Sequence, residues 1–119
     1  MTPMKILLVE DHPALADISC RLLRDHYGHQ VRMAENGAMA LQAASVEVPD
    51  LMLIDIHLPD MSGFDIARTI RSDPDFDRTL LVAVTAANCV EEDFARAMGL
   101  DACFRKPLDF GILEHLKRA

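Results

Sequence analysis

Among its charges this 119-residue chain is shortest of basic ones: 12 Lys and Arg stand against 19 Asp and Glu, a formal charge of −7, and the basic residues form no cluster. Neutralising nucleic-acid phosphates takes a basic face, so the balance argues against direct nucleic-acid binding. Cysteines are few and unpaired in spacing. Cys20, Cys89 and Cys103 make an odd count with no Cys-x-x-Cys, the pattern of buried, reduced thiols in a cytosolic chain rather than of a disulfide framework. No apolar run approaches the ~18 to 20 residues of a membrane helix, and the first one stops at Glu10-Asp11, too short for a signal peptide. Repeats, low-complexity tracts and linkers are missing too. The expectation is one soluble, cytoplasmic domain over residues 1–119 with no membrane association, its core supplied by a 50% hydrophobic content that argues against disorder. The seven methionines, spread along the chain, read as core filler.

The apolar runs that are present are short and regularly spaced. Lys5 to Val9 closes on Glu10 and Asp11 and reads as a buried strand, and Pro13 suits the first turn of the helix that follows. In that helix Leu15, Ile18 and Leu22 recur at helical spacing up to a stop at Tyr27-Gly28. Gln30 to Ala34 alternates as a short strand, and Asn36-Gly37 opens a second helix running to about Ser45. Leu51-Met-Leu-Ile-Asp55 is apolar on every position before its acid, which suits a strand buried on both faces of a parallel sheet. A third helix spans Ser62-Gly63 to Arg71, and 72–79 reads as a surface loop. Leu80 to Val84, ending at Thr85, is the fourth strand; Asn88 with Glu91 resembles a capping box for a helix whose apolar side is Phe94, Ala97 and Met98. Ala102 to Arg105 is the fifth strand, and Asp109 caps a last helix that turns Ile112, Leu113 and Leu116 inward. Strands alternating with helices in this way predict an α/β fold, a doubly wound parallel sheet with helices on both faces.

Five polar side chains then fall at the carboxyl edge of that sheet: Glu10 and Asp11 after strand one, Asp55 after strand three, Thr85 after strand four, Lys106 after strand five. Ligands bind at this edge in open α/β sheets. Converging carboxylates repel one another unless a cation intervenes, and an oxygen-only donor set selects a hard ion, Mg²⁺ or Mn²⁺. A lysine and a hydroxyl opposite leave room suited to a phosphoryl group.

With the acidic pair, the Asp55, Pro59 and Gly63 spacing, Thr85-Ala86 and Lys106-Pro107 all in place, the whole chain resembles the receiver domains of two-component response regulators, including the chemotaxis type. The resemblance implies a flavodoxin-like strand order, 2-1-3-4-5, with five helices. It implies a phosphorelay switch in which Asp55 accepts a phosphoryl group from a phosphohistidine in a Mg²⁺-dependent reaction. Asp11 and Asp55 would bind the metal with the backbone carbonyl of His57, Glu10 would act through water, and Lys106 and the Thr85 hydroxyl would engage phosphoryl oxygens. Such a protein is not a conventional enzyme: it catalyses its own phosphorylation and dephosphorylation. Its partner would be a histidine kinase or a histidine phosphotransfer protein, docking by Leu15, Ile18, Pro107 and Leu108. A monomer or weak dimer is expected, either standing alone or excised from a hybrid kinase or longer regulator; the sequence names neither the kinase nor the downstream target. Lys106-Pro107 is expected to be cis.

One position departs from the family pattern. Members usually carry Tyr or Phe three residues before the lysine, where this chain has Cys103; Phe104, one residue on, points by strand alternation to the other face. The aromatic half of the usual switch is therefore expected to be missing, and a phosphorylation-independent pseudo-receiver that acts as a protein-binding module is the alternative. A flavin or nucleotide binder fits less well, because the turn Glu10-Asp11-His12-Pro13 offers no Gly-rich phosphate cradle. An aspartate-nucleophile phosphohydrolase resembles a nucleophile on strand one with a second acid two residues on, whereas Asp55 is followed there by His57. His57 reads as an exposed side chain at the rim, and His12, His26, His29 and His115 as surface residues.

Overall fold

Each apolar run forms a strand in the computed structural model, which describes residues 3–89 and 91–118. The strands are β1 (Lys5–Val9), β2 (Gln30–Ala34), β3 (Leu51–Asp55), β4 (Leu80–Thr85) and β5 (Ala102–Arg105). They form one sheet in the order β2-β1-β3-β4-β5, with every pairing parallel. This is the expected doubly wound topology. β3 lies at its centre and is buried along its full length, which is why Leu51 to Ile54 carries no polar alternation.

The two-residue period of the strands sorts their side chains into two cores. Met52, Ile54, Leu7, Val9, Leu81 and Ala83 pack on one face; Leu51, Leu53, Ile6, Leu8, Val82 and Val84 pack on the other. The first face is covered by α2 (Gly37–Val46), α3 (Gly63–Arg71) and α4 (Glu92–Ala97), through Ala40, Ala44, Ile66, Ile70 and Ala95. The second is covered by α1 (Pro13–Arg21), which continues as a π-helical turn over Leu22–His26, and by a final 3-10 helix, Phe110–His115. Cys20, Leu23 and Leu113 are its buried contacts. Among the described residues no helix is long and apolar enough to cross a membrane.

Helix ends follow local chemistry. In α2 the Asn36 side chain accepts the Met39 N–H at 2.8 Å, and in α3 the Phe64 N–H reaches Ser62 Oγ while Asp65 accepts the Ser62 N–H. Such caps satisfy the donors a helix start leaves open. Gly28 and Gly99 stop their segments at φ 77° and 94°, in the left-handed region.

Several local expectations are corrected. The capping box at Asn88 does not form: α4 begins only at Glu92, with Glu91 at its cap position making no side-chain cap bond. The later start rotates its buried side onto Ala95, leaving Phe94 and Ala97 exposed and Phe94 edge-on to Phe64 at 5.7 Å. Ile112 is exposed, because the last segment is a 3-10 helix and only Leu113 of that turn is buried. Residues 72–79 contain a 3-10 turn, Pro74–Phe76, and bury Phe76 and Thr79. His29 is buried at 2% exposure rather than lying on the surface. Met33 and Met39 are exposed, so core filling describes only some methionines.

Candidate functional site

β1 and β3 end side by side, and Lys106, just past the end of β5, reaches across the end of β4 to the acids there. The Lys106 ammonium donates to Glu10 Oε1 at 2.7 Å and to Asp55 Oδ2 at 3.1 Å. Glu10 and Asp55 are buried at 7% and 9% exposure. Asp11 is exposed, yet one carboxylate oxygen from each of Glu10, Asp11 and Asp55 lies within 4.8 Å of the others. The remaining oxygens of the buried pair are held by backbone: Glu10 Oε2 accepts the His12 N–H at 3.3 Å, and Asp55 Oδ1 accepts the His57 N–H at 3.0 Å.

The electrostatics follow from this enclosure. Burial raises the Glu10 carboxyl pKa above its ordinary value, against the opposing pull of Lys106. For Lys106 burial works against the charge, but its hydrogen bonds and charge contacts with Glu10 and Asp55 outweigh it and raise its pKa. Three carboxyl groups cluster here and Lys106 pairs with two of them, so the cluster remains attractive to a further cation. Its donors are all oxygen, which suits a hard divalent ion.

Thr85 ends β4 and is buried; its Oγ1 accepts the Ala87 N–H at 3.1 Å, and its carbonyl accepts the Lys106 N–H at 2.8 Å. The β4–β5 pairing thus sets the lysine beside the hydroxyl-bearing strand end. Lys106-Pro107 is cis, as expected. His57 is exposed and turns only its N–H to Asp55. Phe104 packs in the core on the α1 side of the sheet and Cys103 on the opposite side, as alternation required.

Beside Lys106 and Asp55 an apolar cavity of about 340 Å³ opens between α1 and the β5 exit, lined by Leu15, Ile18, Leu22, Pro107, Leu108 and Phe110. Leu15, Ile18 and Leu22 are exposed at 36%, 56% and 45%, so the stripe seen in the sequence faces outward from α1. Sequence reasoning overlooked Asp60, whose carboxylate accepts the N–H groups of Gly37 and Ala38. No local spacing could have shown it, because the partners lie more than twenty residues away.

A family model for the response regulator receiver domain matches residues 6–116. The chain is 34% identical over 116 residues to the sensor histidine kinase RcsC of Salmonella typhimurium, a match covering 93% of this chain and 12% of that protein. It therefore spans only a small part of that kinase's length. It is 32% identical to the polar-differentiation response regulator DivK of Brucella anthropi, over 89% of this chain and 86% of DivK. The chemotaxis response regulator CheY4 of Vibrio cholerae superposes with a TM-score of 0.84 at 25% identity, covering 96% of this chain and 95% of that one. A carboxyl-edge cluster of three acids and a lysine on a 2-1-3-4-5 sheet, matched over nearly its whole length by that family, makes this chain a member of the response regulator receiver domain family.

Proposed function

We propose that this chain is a phosphorelay switch that accepts a phosphoryl group onto Asp55 from the phosphohistidine of a histidine kinase or histidine phosphotransfer protein. The observation that carries the reading is Asp55 at the end of the central strand, 3.1 Å from the Lys106 ammonium and clustered with Glu10 and Asp11. A carboxylate oxygen of Asp55 attacks phosphorus, the P–N bond breaks, and its electron pair leaves with the imidazole. The protein's part is placement and charge. Lys106 moves from carboxylate to phosphoryl oxygen as a point charge, and Thr85, accepting from Ala87 with a lone pair, keeps its O–H to donate to another.

Receiver domains bind Mg²⁺ at an acidic pocket, and the oxygen set here fits it. Asp11, Asp55 and the His57 carbonyl are the proposed ligands, with Glu10 acting through water; Mn²⁺ is the alternative ion. When bound, the ion neutralises phosphoryl charge. The chain acts on itself rather than turning over a substrate, and works either alone or as a domain of a hybrid kinase or longer regulator. Its histidine-bearing partner docks over Leu15, Ile18, Pro107 and Leu108, beside the cavity that opens to Asp55.

Incubation with acetyl phosphate and Mg²⁺ should add about 80 Da to the wild type. Asp55→Asn should stay unmodified. A wild-type protein that takes no adduct would instead support the pseudo-receiver reading.

A further inference from the structure

The loop from β3 to α3 carries His57, and it is anchored at its base and again at its middle. On the inner side the Gly63 N–H donates to the Ile56 carbonyl at 2.8 Å, and His57 pairs with Ser62 in an antiparallel bridge. On the outer side the anchor comes from another element. Asp60 spans the first turn of α2, with Oδ1 accepting the Gly37 N–H at 2.8 Å and Oδ2 accepting the Ala38 N–H at 3.0 Å. Those are donors that the helix leaves open, at the end where negative charge is favoured. Met61 settles on the same spot, since a Cβ on Gly37 would collide with its side chain.

The start of α2 is tied in turn to the acidic pair. It follows β2, whose last residue, Ala34, accepts the Glu10 N–H at 3.0 Å. Glu10, Ala34, Gly37, Asp60, His57 and Asp55 are therefore joined through backbone and hydrogen bonds, and Lys106, bonded to both Glu10 and Asp55, closes the circuit. We infer that Asp60 is a positioning residue for the divalent-cation and phosphoryl site: by latching the loop to α2 it sets where Asp55 and the His57 carbonyl stand relative to Glu10 and Asp11. The inference rests on the receiver reading above. Mg²⁺ demands near-ideal octahedral placement of its ligands, so a loop released from α2 holds it poorly.

Partners of metal ligands cost about 10- to 100-fold in affinity when removed. Asp60 acts through a stretch of backbone, so Asp60→Ala is expected to weaken Mg²⁺ about tenfold, read by calorimetry or by NMR titration. Acetyl phosphate labelling should fall by a similar factor at limiting Mg²⁺ and recover as Mg²⁺ is raised. Asn36→Ala separates placement from mere helix stability. It removes the α2 cap bonded to Met39 but leaves the latch, and should bind Mg²⁺ as the wild type does. Wild-type affinity in Asp60→Ala, or equal losses in both variants, would overturn the inference. If Asp60→Ala does not fold, Asp60→Asn, which keeps an acceptor for one of the two N–H groups, should show an intermediate loss, and wild-type affinity there overturns it equally. A wild type that binds Mg²⁺ and takes the adduct while the Asp60 variants match it defeats only the role of Asp60. A wild type that does neither defeats the receiver reading itself.

Discussion

Lys106 is the residue on which the two halves of the site chemistry oppose each other. Its ammonium bridges Glu10 and Asp55 in the resting protein and is the charge a phosphoryl oxygen would meet. Lys106→Met should therefore slow adduct formation by about 100-fold or more, the scale of a lost preorganised charge contact. The same change should tighten Mg²⁺, because the competing cation is gone; labelling kinetics and a metal titration on one sample would show both signs. His29 supplies a second test. Its Nδ1 accepts the Met4 N–H at 3.0 Å, its Nε2 is buried without a hydrogen-bond partner among the described residues, and burial lowers its pKa from 6.5, against a weaker pull from Glu114. The unfolded chain then holds the proton more tightly than the folded one, so stability should fall as pH drops through 6.5 toward the lower folded value. Urea unfolding across that range should show a slope that flattens in His29→Gln.

At the scale of elements, β3 and the α4–β5 pair behave differently. β3 touches both cores, and Leu53, 1% exposed, packs with Leu8, Val84 and Leu113 in the core on the α1 side. Leu53→Ala should cost about 2 to 5 kcal/mol by chemical denaturation, as buried leucine truncations do. α4 has six residues and buries only Ala95, and β5 is half-buried along most of its length. With Cys103 in place of the aromatic expected there, phosphorylation should shift amide resonances of α4 and β5 less than in aromatic-bearing receivers, and Cys103→Tyr should enlarge those shifts. The contrast explains what could be read from the chain. Strands showed themselves as runs such as Leu51 to Ile54, whose apolarity is a local property. The start of α4 did not, because Asn88 and Glu91 satisfy a capping spacing that no side-chain bond there fulfils.

Across the whole molecule, the end of the sheet opposite the site is closed by a buried charge network. Asp101, its side chain fully buried, accepts from Arg71 at 2.7 Å, Arg118 at 2.5 Å and the Leu81 N–H at 2.8 Å. Arg71 also donates to the carbonyls of Gly99, Phe76 and Thr79, so α3, the 3-10 turn, β4 and the α4–β5 connection are joined at one point. Asp101→Ala should destabilise by about 3 to 5 kcal/mol, since it strands the partly buried Arg71. Arg118→Ala, removing the more exposed partner, should cost about 1 kcal/mol or less; paired urea titrations compare the two.

The strand runs, their acid, hydroxyl and lysine endings and the five-strand count were determined by the sequence, because strand period and turn chemistry act between near neighbours. Tertiary structure alone decided which oxygens Lys106 reaches, that His29 is buried, that Asp60 grips α2 and that Asp101 gathers two arginines. Each of those depends on parallel crossovers bringing together residues distant in the chain, and no spacing in the sequence records such a distance.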